Sequence, residues 1–206
     1  MDYTVRLAFA EGSALRLLNW LAAENARMIR ALDERALLRG ESGIPGIYES
    51  GVVYRPEAEE IWSDALMTMV EGHEDCDALA AWRAGELLAR GAAALRPHDP
   101  RDPVRYPGDG GFEEAMAQGL PSIPAEVYLS TNGEKFDTNL YHCVVRYNVG
   151  GRWYADDPSA RLGMLSLGSP EAAQGLVPAH IIEAARVARA FQQRRRGPWR
   201  RRRRAA

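Results

Sequence analysis

Lysine is almost missing from this chain: of its 26 basic residues only Lys135 is not arginine, a bias we assign to genome composition before any chemistry. Cysteine is scarce as well, with Cys76 and Cys143 alone. Two thiols without CxxC spacing make no disulfide framework and fall short of the four ligands a structural zinc takes. No apolar run approaches the ~20 residues of a membrane span. The segment Met1 to Arg6 lacks the basic-then-apolar layout of a signal peptide, so a cytoplasmic chain with no membrane partner is expected. There is no internal repeat. What remains is 206 residues, 46% apolar and 26% charged, the composition of one soluble domain with short extensions. A chain of this length buries roughly 70% of the surface its unfolded form exposes, so stability requires no disulfide or metal, and no cofactor is expected.

The formal net charge of −2 conceals a polarity. All 28 acidic residues precede Arg194, and eight of the 26 basic residues lie between Arg194 and Arg204, which leaves a body of −10 and a tail of +8. The tail arginines are Arg194, Arg195, Arg196, Arg200, Arg201, Arg202, Arg203 and Arg204, with Trp199 among them. Such a run neutralises phosphates without reading sequence, and equally docks on an acidic protein or on the acidic body of another copy. A solvated tail with no partner is the plain alternative.

Hydrophobic spacing orders the chain. Leu15, Leu18, Ala22, Met28, Ile29 and Leu32 recur at helical intervals between Glu11 and Arg39, as one long helix or a broken pair, and Gly40 supplies a stop. Three glycines and Pro45 make a loop of Gly43 to Gly51, followed by an extended Val52 to Tyr54. A second helix is predicted over Glu57 to Val70, ending at Gly72. Asp75 can cap a third helix with a buried stripe of Ala80, Ala84, Leu87 and Leu88 and a terminal Gly91. Pro97 to Gly111 reads as a surface loop, and Phe112 to Gln118 as a short helix. Period-two patterns then predict strands at Val127 to Ser130, Leu140 to Asn148 and Arg152 to Asp156, the last two joined as a hairpin. A final helix is predicted from Pro178 to Gln193. The expected divisions are a helical region at 1–42, a core at 43–168, a C-terminal helix at 169–193 and the tail at 194–206.

The hairpin brings His142 and Asp157 to one face. A two-residue turn at Gly150-Gly151 sets Val144 opposite Asp157 with His142 diagonal to it, whereas a four-residue loop sets His142 directly opposite. Asp156 points to the other face in either case, because strand side chains alternate. A histidine held by a carboxylate is an oriented base that lacks a nucleophile. Cys76, in the first turn of a helix whose dipole and free N–H groups favour a thiolate, is the candidate. Asp75 and Asp77 oppose that thiolate unless they point away from it or cap the helix.

These residues resemble a family. Gly72-His73-Glu74-Asp75-Cys76-Asp77-Ala78-Leu79-Ala80 is similar to the nucleophile segment of transglutaminase-like, papain-like cysteine enzymes. Tyr141-His142-Cys143-Val144-Val145, Gly151-Arg152-Trp153-Tyr154 and Asp157-Pro158-Ser159 resemble that superfamily's His strand, Gly-x-Trp strand start and Asp-Pro ending. The likeness spans about Gly43 to Met164 and extends to small versions among bacteriophage structural and assembly genes, which implies association with a virion. It departs from the pattern at Cys143, where the family commonly has an aromatic residue or an amide near the His.

The resemblance implies an α+β papain-like core: the Cys76 helix packed on a small antiparallel sheet, with N-terminal helices before it and a C-terminal helix after it. It implies acyl transfer on a protein or peptide through a thioester, with Cys76 as nucleophile, His142 as base then acid, and Asp157 fixing its tautomer, the acceptor being water or an amine. The Cys76 N–H is one oxyanion donor, and Tyr54 and Trp62 are candidates for the second.

Plainer readings stand beside these. Cys143, next to Val144 and Val145, reads as core, as do Trp82 and Trp153. Asp157-Pro158 can simply end a strand. His73, Glu74 and Cys76 are too tightly clustered for a metal site and lack a fourth ligand. His98 and His180 have no evident companion. An idle scaffold of an assembly, using the fold for packing and the tail for nucleic acid, is the alternative to an enzyme.

Overall fold

One helix, Cys76–Arg90, lies at the centre of the described residues, with residues 77 to 87 all buried. The structure, a computed structural model, describes residues 11–56, 62–95, 111–130 and 142–164, and these form an α+β arrangement. Residues 97–110 of the predicted loop, the helix at 178–193, the arginine tail and both His98 and His180 lie outside the described residues.

The first helix, α1 (Glu11–Arg39), runs unbroken. Its buried stripe, Leu18, Ala22, Ala26 and Ile29, recurs at helical spacing, and Gly40 ends it in a left-handed conformation at φ +66°. A 3-10 turn (Ile47–Glu49) leads to β1 (Val53–Tyr54). The next helix, α2 (Ala65–Glu71), is shorter than the predicted 57–70. Asp64 caps it by accepting from the Met67 N–H at 2.9 Å, and Trp62 to Asp64 are not helical. Gly72, at φ +75°, closes α2 and turns the chain into β2 (His73–Glu74), which pairs in parallel with β1. β1 falls within the predicted extended piece Val52 to Tyr54, whereas its partner, the two-residue β2, carries too little pattern to predict.

The central helix, α3 (Cys76–Arg90), begins at the predicted cap, Asp75, and ends at Gly91. The predicted one-sided stripe understates its burial: residues 77 to 87 are all buried, while Leu88 is only half-buried. The physical reason is that α3 is covered on several sides. The sheet and α1 pack on Ala80, Ala84 and Leu87, and a second cluster of Ile29, Ile47, Val52, Ala65 and Met69 closes around Leu79 and Trp82. Gly85 permits close passage of α1, since a Cβ there would stand 2.8 Å from the Ala22 carbonyl oxygen and 2.7 Å from the Asn25 Cβ.

After α4 (Phe112–Gln118), three antiparallel strands form a sheet in the order β3 (Ala125–Ser130), β4 (His142–Val149), β5 (Arg152–Asp156). The inner face presents Val127 from β3 and Cys143, Val145, Tyr147 and Val149 from β4 to the core. Asn19 of α1 satisfies the backbone of the edge strand, accepting from the Val127 N–H at 2.8 Å and donating to its carbonyl at 3.2 Å. Gly150 and Gly151, both at positive φ, make the two-residue turn between β4 and β5.

That turn decides the register. Val145 opposes Asp156 and Val149 opposes Arg152, so the four-residue-loop alternative is excluded and His142 is diagonal to Asp157. The same alternation corrects Trp153: Tyr154 is the inward residue, stacked on Tyr147 at 5.6 Å, and Trp153 faces outward at 57% exposure. The Arg146 guanidinium lies between the Trp153 and Tyr128 rings, 5.3 and 4.6 Å from their centroids. Trp82 is fully buried, as expected. Among the described residues no helix is long and apolar enough to cross a membrane.

Candidate functional site

The parallel ribbon of β1 and β2 feeds directly into α3, which makes Cys76 the first residue of that helix. Asp75, in extended conformation, turns its carboxylate onto the helix and accepts from the Asp77 N–H at 3.3 Å. Asp77 is buried, and one of its oxygens accepts from the Ala78 N–H. Both acids therefore have backbone partners in the first turn, although the Asp75 charge still opposes ionisation of the neighbouring thiol.

Cys76 is half-buried and meets two consecutive residues at the start of β4, His142 and Cys143. The thiol is held down at about 5 from an ordinary 9.0. The Cys143 side chain is the largest cause, donating to the sulfur; burial works against it; His142 and the Cys143 backbone N–H add to it. Cys143 is correspondingly pushed up, first by that same contact and then by burial, so it stays a thiol. Its predicted burial holds, since it is fully enclosed in the core cluster, but core packing alone is an incomplete description: it also touches Cys76.

His142 donates from Nε2 to Asp157 Oδ2 at 2.8 Å, which leaves Nδ1 for Cys76. Its imidazolium is stabilised up to about 10, first by the Asp157 hydrogen bond and then by Cys76, with burial opposing. The Asp157 carboxyl is held below its ordinary value: burial would raise it, and the His142 hydrogen bond and the Ala160 N–H more than offset that. Asp157 Oδ1 accepts from Ala160 N–H at 3.0 Å, with Pro158 at the first position of the short turn that follows. One oxygen thus caps the turn and the other holds the imidazole. The same carboxylate therefore both closes the turn after β5 and is bonded to the His142 ring.

Tyr54, opposite Glu74 in the ribbon, comes within reach of the Cys76 charge. Burial, then the charges of Cys76 and Asp75, raise its hydroxyl, which keeps it a donor. Trp62 packs at the edge of the same core cluster as Cys76. His73 lies against Arg55, with 3.5 Å between its Nε2 and the guanidinium. Among the described residues no group of three or more His, Cys, Asp or Glu side chains is arranged to hold a metal ion. The tail arginines lie outside the described residues.

Two features escape the sequence. One is the thiol pair, which nothing in the spacing of Cys76 and Cys143 announces. The other is a buried ionic cluster behind the site. Arg83 Nε donates to Asp156 Oδ2 at 2.7 Å, and its Nη1 donates to Glu86 Oε2 and to the Ala94 carbonyl, both at 2.9 Å. The Tyr48 ring lies 5.0 Å from the Arg83 guanidinium and 4.9 Å from that of Arg161, which approaches Asp156 Oδ1 at 3.5 Å. A lone arginine within an apolar helical run was the available signal, because a buried cation requires an acid.

A thiolate, an imidazolium and a carboxylate in series can act as a nucleophile, a proton carrier and its orienter, with the Cys76 N–H and Tyr54 beside them. Comparison of the chain with protein-family models, with curated proteins and with solved structures finds no match to any of them.

Proposed function

We propose that this chain is a cysteine-dependent hydrolase or acyltransferase of transglutaminase-like, papain-like type, acting on a peptide or carboxamide bond. The observation that carries the reading is the Cys76–His142–Asp157 series, with Asp157 2.8 Å from His142 Nε2 and the thiol depressed to about 5. The order Cys, His, Asp along the chain and the helix-start position of the thiol agree with it.

The chemistry follows from the charges. The Cys76 thiolate attacks the carbonyl carbon, and the developing oxyanion accepts from the Cys76 N–H and the Tyr54 hydroxyl. His142 gives its proton to the departing amine as the C–N bond breaks, leaving a thioester. Neutral His142 then takes a proton from water or from an acceptor amine, whose attack on the thioester releases the thiolate. Asp157 keeps Nε2 protonated, so that Nδ1 is the atom that exchanges protons with substrate.

The test is incubation of the full chain with casein and a fluorescent primary amine. Amine incorporation reads transfer and new peptide termini read hydrolysis. Either activity must vanish in Cys76→Ala and survive in Cys143→Ala. Turnover that persists in Cys76→Ala, or a wild-type chain that gives neither product with casein nor a covalent adduct with a peptide vinyl sulfone, refutes the reading.

A further inference from the structure

We infer that Arg83 is a positioning residue: through Asp156 it locks the segment that carries Asp157 onto the helix that carries Cys76, and so sets the spacing of the site. The inference rests on the Cys76–His142–Asp157 reading above. Its own basis is geometric. Arg83 lies seven residues after Cys76, two turns along α3 on nearly the same face and about 10.5 Å further along its axis. Asp156 and Asp157 are consecutive, and strand alternation sends the first inward to Arg83 and the second to His142.

The segment is fastened on both sides of Asp157. Before it, Asp156 takes the Arg83 Nε hydrogen bond; after it, Arg161 approaches the same Asp156 carboxylate and donates its backbone N–H to the Asp157 carbonyl at 3.3 Å. Arg83 cannot drift to follow a moving strand, because Glu86 and the Ala94 carbonyl hold its other arm and Tyr48 covers its face. Arg83 and Asp156 are both buried, at 2% and 0% exposure. Apolar side chains of similar volume can replace buried ion pairs without loss of stability. A planar, two-armed cation offers instead a fixed distance between helix and strand.

The readout is the pH dependence of Cys76 alkylation by iodoacetamide, mapped by mass spectrometry. The groups that face the sulfur are His142 and Cys143 from β4, Asp75 from the helix start and Tyr54 from β1. None of them is changed by the variants. In Arg83→Met/Asp156→Asn, a charge-neutral pair, loss of alignment loosens the His142 contact. The midpoint is expected to move toward an ordinary thiol; a move from about 5 to about 7 cuts the thiolate fraction at pH 6, and with it the rate, about tenfold. The His142 ring N–H resonance should shift with it. Arg83→Lys keeps the charge but not the fork, is expected to fold, and should give an intermediate midpoint; it decides the matter should the double variant unfold. Glu126→Gln, which removes an exposed partner of Arg146 on the outer sheet face and touches neither Arg83 nor Asp156, should leave the profile unchanged.

A folded variant of either kind with the wild-type profile and resonance overturns the positioning role. An ordinary thiol profile in the wild-type chain overturns the reading of the site itself, so the two failures are told apart.

Discussion

Asp156 and Asp157 stand next to each other at the end of β5 and serve opposite sides of the sheet, Asp156 bonded to buried Arg83 at 2.7 Å and Asp157 to half-buried His142 at 2.8 Å. The same substitution at the two positions should therefore give different results. Asp156→Asn removes one of the two carboxylates that hold the buried Arg83 guanidinium, Glu86 being the other, and should cost about 3–5 kcal/mol in denaturant unfolding. Asp157→Asn should leave the fold nearly intact, lower the His142 titration from about 10, and cut turnover on the order of 10²–10⁴-fold. Equal losses of stability at both positions would contradict this division.

The reactivity of Cys76 should be set by two limbs. Its thiolate forms as pH rises through about 5 and its imidazolium partner is lost as pH rises through about 10. Alkylation at pH 6 should accordingly be near its plateau, where an ordinary thiol of ~8.5 would be almost unreactive. A single rise centred between pH 8 and 9 is the opposing result.

Stability carries the same signature with the signs separated. The raised His142 contributes fully below its ordinary 6.5 and loses its contribution as pH rises through about 10. The depressed Cys76 contributes fully above its ordinary 9.0 and loses its contribution as pH falls through about 5. Between 6.5 and 9 one gain offsets the other, so denaturant midpoints should be flat there, falling toward pH 5 and again from 9 to 10. Cys76→Ser should remove the acid-side fall; if that fall is unchanged, the thiol is not its source.

Cys143 is the largest single cause of the Cys76 depression. Cys143→Ala should therefore raise the titration midpoint of the Cys76 thiolate, followed by its ultraviolet absorbance, whereas Cys143→Ser retains a donor and should keep the midpoint lower than Ala does. Indistinguishable midpoints in the three proteins would remove Cys143 from the site.

Gly85 tests the packing that places α3. With a Cβ meeting the α1 backbone at 2.8 Å, Gly85→Ala should destabilise the chain by about 1–3 kcal/mol in denaturant unfolding. A neutral result would mean that α1 moves aside freely.

What the sequence disclosed and what it withheld follow from range. Asp75, Gly40, Gly72 and the Gly150-Gly151 turn act on their own neighbours, so the start of α3, the helix stops and the hairpin were legible, whereas the start of α2 at Ala65 was not. Alternation put His142 and Asp157 on one face under either turn, but composition could not choose between a two-residue and a four-residue turn, and so not between diagonal and direct opposition. Burial around α3 was underestimated because a one-sided stripe presumes one neighbouring surface, whereas here a sheet, α1 and α2 all contact the helix. Trp153 was misjudged because an exposed tryptophan can be stabilised by a flanking arginine on an outer sheet face. The Cys76–Cys143 contact and the Arg83–Asp156 bond join residues 67 and 73 positions apart, and no local pattern encodes which acid a buried arginine will find.

The central claim is that Cys76 is a nucleophile activated by His142. The most direct measurement is limiting iodoacetamide at pH 6 on the folded full chain, with the modified cysteine located by peptide mass spectrometry in wild type and in His142→Ala. The account predicts label confined to Cys76 and a rate at least tenfold lower in His142→Ala. Label on Cys143, or a Cys76 rate indifferent to the loss of the imidazole, would contradict it.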